Sequence, residues 1–204
     1  MRKRLYLLIL FFLPVCLFSQ NIDIRLLQSI NSAESLPSDN FFRFISRSEV
    51  YLVTGIPAAI ATAGLIKDDR EMLRDACVTI AASAANFGIT TAMKYVIARD
   101  RPFETYPDIT RKIDVVSPSF PSGHTSAAFA TATSISLEYP RWYVIVPSYA
   151  WAGTVAYSRM HLGVHYPSDI VAGALTGAGS AFLTYKINQK LNARKRIKPC
   201  NCPK

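Results

Sequence analysis

Residues 119–130 read SFPSGHTSAAFA, with a proline, a serine, a glycine and a histidine directly ahead of an alanine-rich, helical run. Ser122 stands where a helix cap belongs, and Gly123 lets a ligand approach the backbone closely. The first N–H groups of a helix lack internal partners and carry the positive end of its dipole. An anion suits that position, and His124 stands beside it. Taken alone, the pattern equally describes an ordinary cap and a satisfied core histidine.

Two further stretches hold residue types that could serve the same anion. In YSRMHLGVHYPSD, His165 and Asp169 are four residues apart, one helical turn, at the start of a helix whose first turn accommodates Pro167. A carboxylate so placed can hold one ring nitrogen and leave the other lone pair free to attack. Ser158 and Arg159 close the apolar segment that precedes it. In MKYVIARDRP, Lys94 and Arg101 are seven residues apart, two turns, and project from one face if the helix runs that far. Each of these stretches alone also fits solvated charges or a structural His–Asp pair. Combined, convergent cations and helix amides would bind a phosphate-like dianion, and two differently supported histidines would supply a nucleophile and an acid.

The elements that must position these residues are apolar and rich in small residues. Five such segments lie near 51–66, 76–98, 124–140, 142–158 and 168–186 of the 204 residues, and no alternating strand pattern occurs. The sequence therefore predicts an all-α, membrane-embedded bundle of five to six helices. Low hydropathy does not exclude membrane helices, because small residues let them pack closely. A soluble, secreted helical domain of the same pattern is the alternative. The loop 99–122 contains Pro102, Pro107, Pro118 and Pro121, which rules out a continuous helix there.

Charge sets the orientation. The net charge is +9, but three positive residues lie in Arg2–Lys3–Arg4 and seven lie between Lys186 and Lys204 in an acid-free tail. The rest of the chain is nearly neutral, which argues against nucleic-acid binding and for membrane orientation. With the tail inside, the loops 99–123 and 158–167 fall outside, so every site residue above sits at the extracytoplasmic helix ends. MRKR followed by LYLLILFFLPVCLF reads as a signal peptide ending near Ser19 or as an uncleaved first membrane helix. The expected organisation is 1–19 as that segment, 20–50 as an amphipathic surface segment, 51–186 as the helical bundle and 187–204 as a basic cytoplasmic tail. Cys200 and Cys202 supply two thiols, too few for a closed zinc site.

Lys94 through Arg101-Pro102, Pro121-Ser122-Gly123-His124, and Ser158-Arg159 with His165 and Asp169 resemble the three-part signature of the type 2 phosphatidic acid phosphatase and vanadium haloperoxidase superfamily. The resemblance spans about residues 50–186 and preserves the order of the motifs and the spacing within each. It implies a phosphatase in which His165 is the nucleophile, Asp169 its orienting partner and His124 the acid that protonates the leaving group. Lys94, Arg101, Ser122, Gly123 and Arg159 would hold the phosphoryl oxygens. It also implies no metal or other cofactor, and a lipid phosphate or diphosphate as substrate, met at a bacterial-type inner membrane on the periplasmic side. A soluble periplasmic acid phosphatase is the rival within the superfamily, and a vanadate-dependent haloperoxidase the more distant one. Arg99 and His161 fall at variable positions of these motifs and receive no catalytic role, with His161 expected at the entrance.

Overall fold

Small side chains let the helices approach, and the polar ones among them are spent inside. The computed structural model describes residues 22–197, all of whose regular structure is helical. The order is α1 (22–30), α2 (Ser38–Lys67), α3 (Arg70–Ile97), the single turn α4 (Pro102–Thr105), α5 (Gly123–Glu138), α6 (Trp142–His161) and α7 (Pro167–Ile197). Residues 1–21 and 198–204, and with them the signal or first-helix segment, Cys16, Cys200 and Cys202, lie outside the described residues.

The central element is α5, with α3, α6 and α7 packed around it and α2 closing the gap between α3 and α6. Its small residues from Thr125 to Ser134 are mostly buried. Hydroxyls and an amide pair across this interior: Asn86 donates to Ser126 at 3.2 Å, Thr90 and Ser126 share a bond of 3.1 Å, and Ser134 donates to Thr79 at 3.1 Å. Large apolar side chains such as Leu65, Phe87, Val96, Val146, Leu175 and Leu183 point outward instead. That inversion is the pattern of a bundle solvated by lipid tails. Glycines fix the closest contact, where α7 crosses α5. A Cβ on Gly177 would run into the Ser126 backbone oxygen, and one on Gly173 would lie 2.7 Å from the Ser122 oxygen.

Among the described residues, three helical stretches are long and apolar enough to cross a membrane: Ser38–Lys67, Arg70–Thr105 (α3 with the turn α4) and Pro167–Ala193. The sequence predicted five such segments. At 16 residues α5 is about 24 Å long, short of the roughly 30 Å hydrocarbon core, and it is wrapped by its neighbours rather than by lipid. Neither it nor α6 is among the three. Two expected boundaries also move. Residue 50 falls inside α2, which runs unbroken from Ser38, so the segment 20–50 is not one element. Likewise α7 continues past residue 186 to Ile197, because its Lys, Gln, Asn and Leu residues give the helix no reason to stop.

The helices alternate in direction. One end of the bundle therefore gathers the N-termini of α2, α5 and α7 and the C-termini of α3 and α6. Hydrogen bonds tie that end together, from Arg159 to Ser46, His161 to Asp39 and the Ser122 amide to the Asp169 carbonyl.

Candidate active site

The site is built on the backbone between α6 and α7. Gly163 has φ +73°, and a side chain there would collide with the Thr110 carbonyl, so only glycine fits. The turn it makes delivers His165 into the protein, 2% exposed, one turn ahead of the fully buried Asp169. His165 Nδ1 lies 3.4 Å from Asp169 Oδ2. Ser119 completes the group, donating to the same carboxylate oxygen at 2.5 Å and sitting 3.5 Å from His165 Nδ1. Burial pushes the His165 imidazole down to about 3, against the pull of Asp169 and with the push of Arg159 and Arg101. The ring is thus neutral near pH 7. Its Nδ1 edge is given to Asp169 and Ser119, and its Nε2 makes no hydrogen bond among the described residues.

The predicted cations converge, though not by the route the sequence suggested. Lys94 lies in the last turn of α3, but that helix ends at Ile97, where Ala98 turns left-handed with φ +47°. Arg101 is the residue before α4, so it shares no helix face with Lys94; a turn, not two helical repeats, brings it in. Pro102 disfavours a helical conformation at Arg101 and then opens the new turn itself. Both cations are aimed by backbone carbonyls of the proline-rich loop and its surroundings. Lys94 Nζ donates to Pro118 O at 2.6 Å, Arg101 Nε to Ser117 O at 2.8 Å, and Arg101 Nη1 to Val164 O at 2.7 Å. Arg159, 2% exposed, donates through Nη1 to Ser46 at 2.5 Å while its Nε is buried without a partner.

At the start of α5 no side chain caps the first amides, because Ser122 Oγ pairs with Thr125 Oγ1 at 2.9 Å instead. The expected serine cap is absent, and the amide end of α5 stays open toward the cations. Lys94 approaches it directly: a Cβ on Gly123 would lie 3.8 Å from Lys94 Cε. His124 is half-buried at the junction of two cavities. One, of about 440 Å³, is lined by His124, Arg159 and further basic residues. The other, of about 450 Å³, runs past Lys94, Gly123, Phe87 and Val53 between α2, α3 and α5. His124 Nε2 lies 3.9 Å from the buried Glu49 carboxylate, too far for a hydrogen bond.

Several residues here carried no functional reading in the sequence. Arg99 donates to Asp169 Oδ1 at 2.7 Å and to Asp23 at 3.0 Å, with its guanidinium 3.8 Å over the Tyr166 ring. Asp23 of α1 also accepts the Ser168 amide at 2.7 Å, so a segment far from the motifs helps anchor the start of α7. For Glu49 a signal was available, an acid beside a long apolar run. None existed for Asp23 or Ser46, whose roles depend on contacts more than 100 residues away in sequence. His161 does not line the entrance; it is 4% exposed and bonded to Asp39 at 2.7 Å, a packing role between α6 and α2.

A multi-pass helical bundle whose clustered helix ends join two histidines to three guanidinium or ammonium groups and an uncapped helix N-terminus defines an anion-handling membrane protein. The sequence profile of the PAP2 superfamily matches residues 73–193, and the chain belongs to that superfamily. It is 39% identical over 75 residues to a lipid A 4'-phosphatase of Bacteroides thetaiotaomicron, covering 37% of this chain and 33% of that protein. With an undecaprenyl-diphosphatase of Sulfolobus acidocaldarius it shares 37% identity over 95 residues, 46% of each chain. The matched part thus spans a third to about half the length of these curated relatives. A crystal structure described as the first transmembrane PAP2 type phosphatidylglycerolphosphate phosphatase, from Bacillus subtilis, has the same fold. It aligns with TM-score 0.70 and 20% identity over 95% of this chain and 97% of that one.

Proposed function

We propose that this protein is a phosphatase that hydrolyses a lipid phosphate or diphosphate, without a metal ion, through a phosphohistidine on His165. The observation that carries the reading is the setting of His165: buried, neutral, held at Nδ1 by Asp169, and placed among Lys94, Arg101 and Arg159. Lysine and arginine charge together with the amides of Gly123 and His124 would stabilise the equatorial oxygens of the transferring phosphoryl group. Among the described residues, no three His, Cys, Asp or Glu side chains converge to hold a metal.

In the first step the His165 Nε2 lone pair forms the P–N bond as the P–O bond to the leaving group breaks, and His124 gives its proton to the departing oxygen. Water then attacks phosphorus, His124 takes the proton back, and the P–N bond breaks to release phosphate and neutral His165. Asp169 stabilises the charge that develops on the His165 ring, and Arg99, Ser119 and the Tyr166 amide keep that carboxylate in place.

The substrate is a lipid because the site opens at the helix ends of a membrane bundle, beside an apolar cavity suited to an acyl or prenyl chain. The activities for which two relatives are named, on lipid A and on undecaprenyl diphosphate, point the same way. The basic tail, expected on the cytoplasmic side, supports a site on the periplasmic face of the inner membrane. Purified protein in detergent should release phosphate from at least one of phosphatidic acid, phosphatidylglycerophosphate, undecaprenyl diphosphate and lipid A. It should do so in excess EDTA, and vanadate should inhibit it. Loss of activity on chelation that added magnesium restores would refute the metal-free reading.

A further inference from the structure

Two arginines to which the proposed function gives no role lie beside His124, in the cavity that adjoins Arg159. The cavity of about 440 Å³ that opens from His124 and Arg159 is walled on one side by Arg43 and Arg47 of α2. Four residues apart, these two present one face of the helix. At 30 residues α2 is about 45 Å long, against a hydrocarbon core of roughly 30 Å, so its first turns can stand among lipid headgroups.

Neither arginine makes an ion pair among the described residues. Arg43 Nε is buried without a partner, and so is Nε of Arg159, 2% exposed on the cavity floor. The other charges of the cavity are accounted for. Lys112 is paired with Asp39 at 2.9 Å, and Asp114 with Arg111 at 2.9 Å. The Arg43 and Arg47 side chains line this one cavity with Arg159 beneath them, and unpaired guanidinium groups so placed are matched by an anion with several acceptor oxygens.

Position decides which anion. The proposed function assigns His124 to the leaving group, and the cavity begins there, so its anion belongs to the leaving group. A simple lipid monophosphate such as phosphatidic acid or a prenyl phosphate releases a neutral alcohol, which has no charge to offer these arginines. A lipid diphosphate leaves as a lipid monophosphate, whose charge lies one bridging oxygen from the scissile bond. Resting on the phosphatase reading above, we propose that Arg43 and Arg47 form a subsite for the inner phosphate of a lipid diphosphate.

The test compares farnesyl diphosphate with farnesyl monophosphate in detergent micelles, so that the apolar part is constant. Arg43→Gln/Arg47→Gln should lower the ratio of kcat/KM for diphosphate over monophosphate at least about tenfold, the effect expected on losing charge-assisted hydrogen bonds. The Arg43→Lys/Arg47→Lys variant should recover part of it. Inorganic pyrophosphate should inhibit the wild type more strongly than inorganic phosphate, and the Gln variant should lose that difference. An unchanged ratio, whether because both substrates suffer equally or because neither does, overturns the subsite while leaving the phosphatase intact. A wild-type protein that hydrolyses other lipid phosphates but neither farnesyl substrate overturns the subsite alone, and one that hydrolyses no lipid phosphate and traps no phosphohistidine overturns both.

Discussion

The two histidines of the site differ in what surrounds them, and their variants should differ accordingly. His165 is enclosed and has a carboxylate 3.4 Å away, whereas His124 stands where two cavities meet, with Glu49 at 3.9 Å. His165→Ala should abolish turnover of every substrate and leave no phosphoenzyme. General acid catalysis contributes about two to four orders of magnitude, and only where the leaving oxygen needs a proton. His124→Ala should therefore cripple hydrolysis of alkyl phosphates yet largely spare p-nitrophenyl phosphate, with phosphohistidine still trapped from that ester. The reverse pattern would exchange the two roles. Burial of His165 also has a consequence for folding. Its imidazole is pushed to about 3 in the folded protein against about 6.5 when free, so between those values the unfolded chain binds more protons. Its contribution to stability is full above pH 6.5 and declines as pH falls toward 3. The melting temperature in detergent should drop less between pH 7 and pH 5 in His165→Gln than in the wild type; equal drops would contradict a buried neutral ring.

Among the elements, the pairing of α7 with α5 carries the site. Asp169, Gly173 and Gly177 repeat every four residues along one face of α7, and the two glycines bring that face against the α5 backbone at Ser122 and Ser126. The same approach lets the Asp169 carbonyl accept the Ser122 amide at 3.1 Å, locking the start of one helix to the start of the other. Overpacking such a contact costs about 1–3 kcal/mol and shifts the backbone. Gly177→Ala should thus lower both the melting temperature and kcat, since Asp169 would move with α7. Gly179→Ala, two residues on with open space around it, is the control and should leave both unchanged. If the two variants melt and turn over alike, the helix approach does not set the site. The small-residue pattern of these segments was legible in the sequence, but the particular glycines in contact were not, because several glycines in α7 offer the same spacing options.

For the whole molecule the decisive property is that apolar side chains cover the outside and polar ones the inside. Leu65, Phe87, Val146 and Leu183 are more than half exposed, while Asn86, Thr90 and Ser126 are buried and hydrogen-bonded to one another and Thr79 is buried and bonded to Ser134. Such a surface requires lipid or detergent. The protein in membranes should resist carbonate extraction, and a tag at Lys204 should be inaccessible from outside intact cells. Recovery in a soluble periplasmic fraction would support the acid phosphatase alternative, and a tag reached from outside would reverse the proposed sidedness.

Side-chain type and short-range spacing singled out His124, His165, Asp169 and the cations Lys94, Arg101 and Arg159 as candidates. Such residues lie at helix ends, where local sequence controls both caps and breaks. The all-helical class was equally legible, since long runs of small apolar residues contain no alternation that a strand could use. Only the tertiary structure decided the rest. It ended α3 at Ile97 and brought Arg101 in by a turn, it enclosed α5 instead of exposing it to lipid, and it recruited Asp23, Ser46, Glu49, Arg99 and Ser119. Those residues act through partners 46 to 145 positions away. Helix spacing fixes what lies one or two turns along the chain, whereas a contact between helices depends on how their surfaces pack, and that is a property of the assembled bundle.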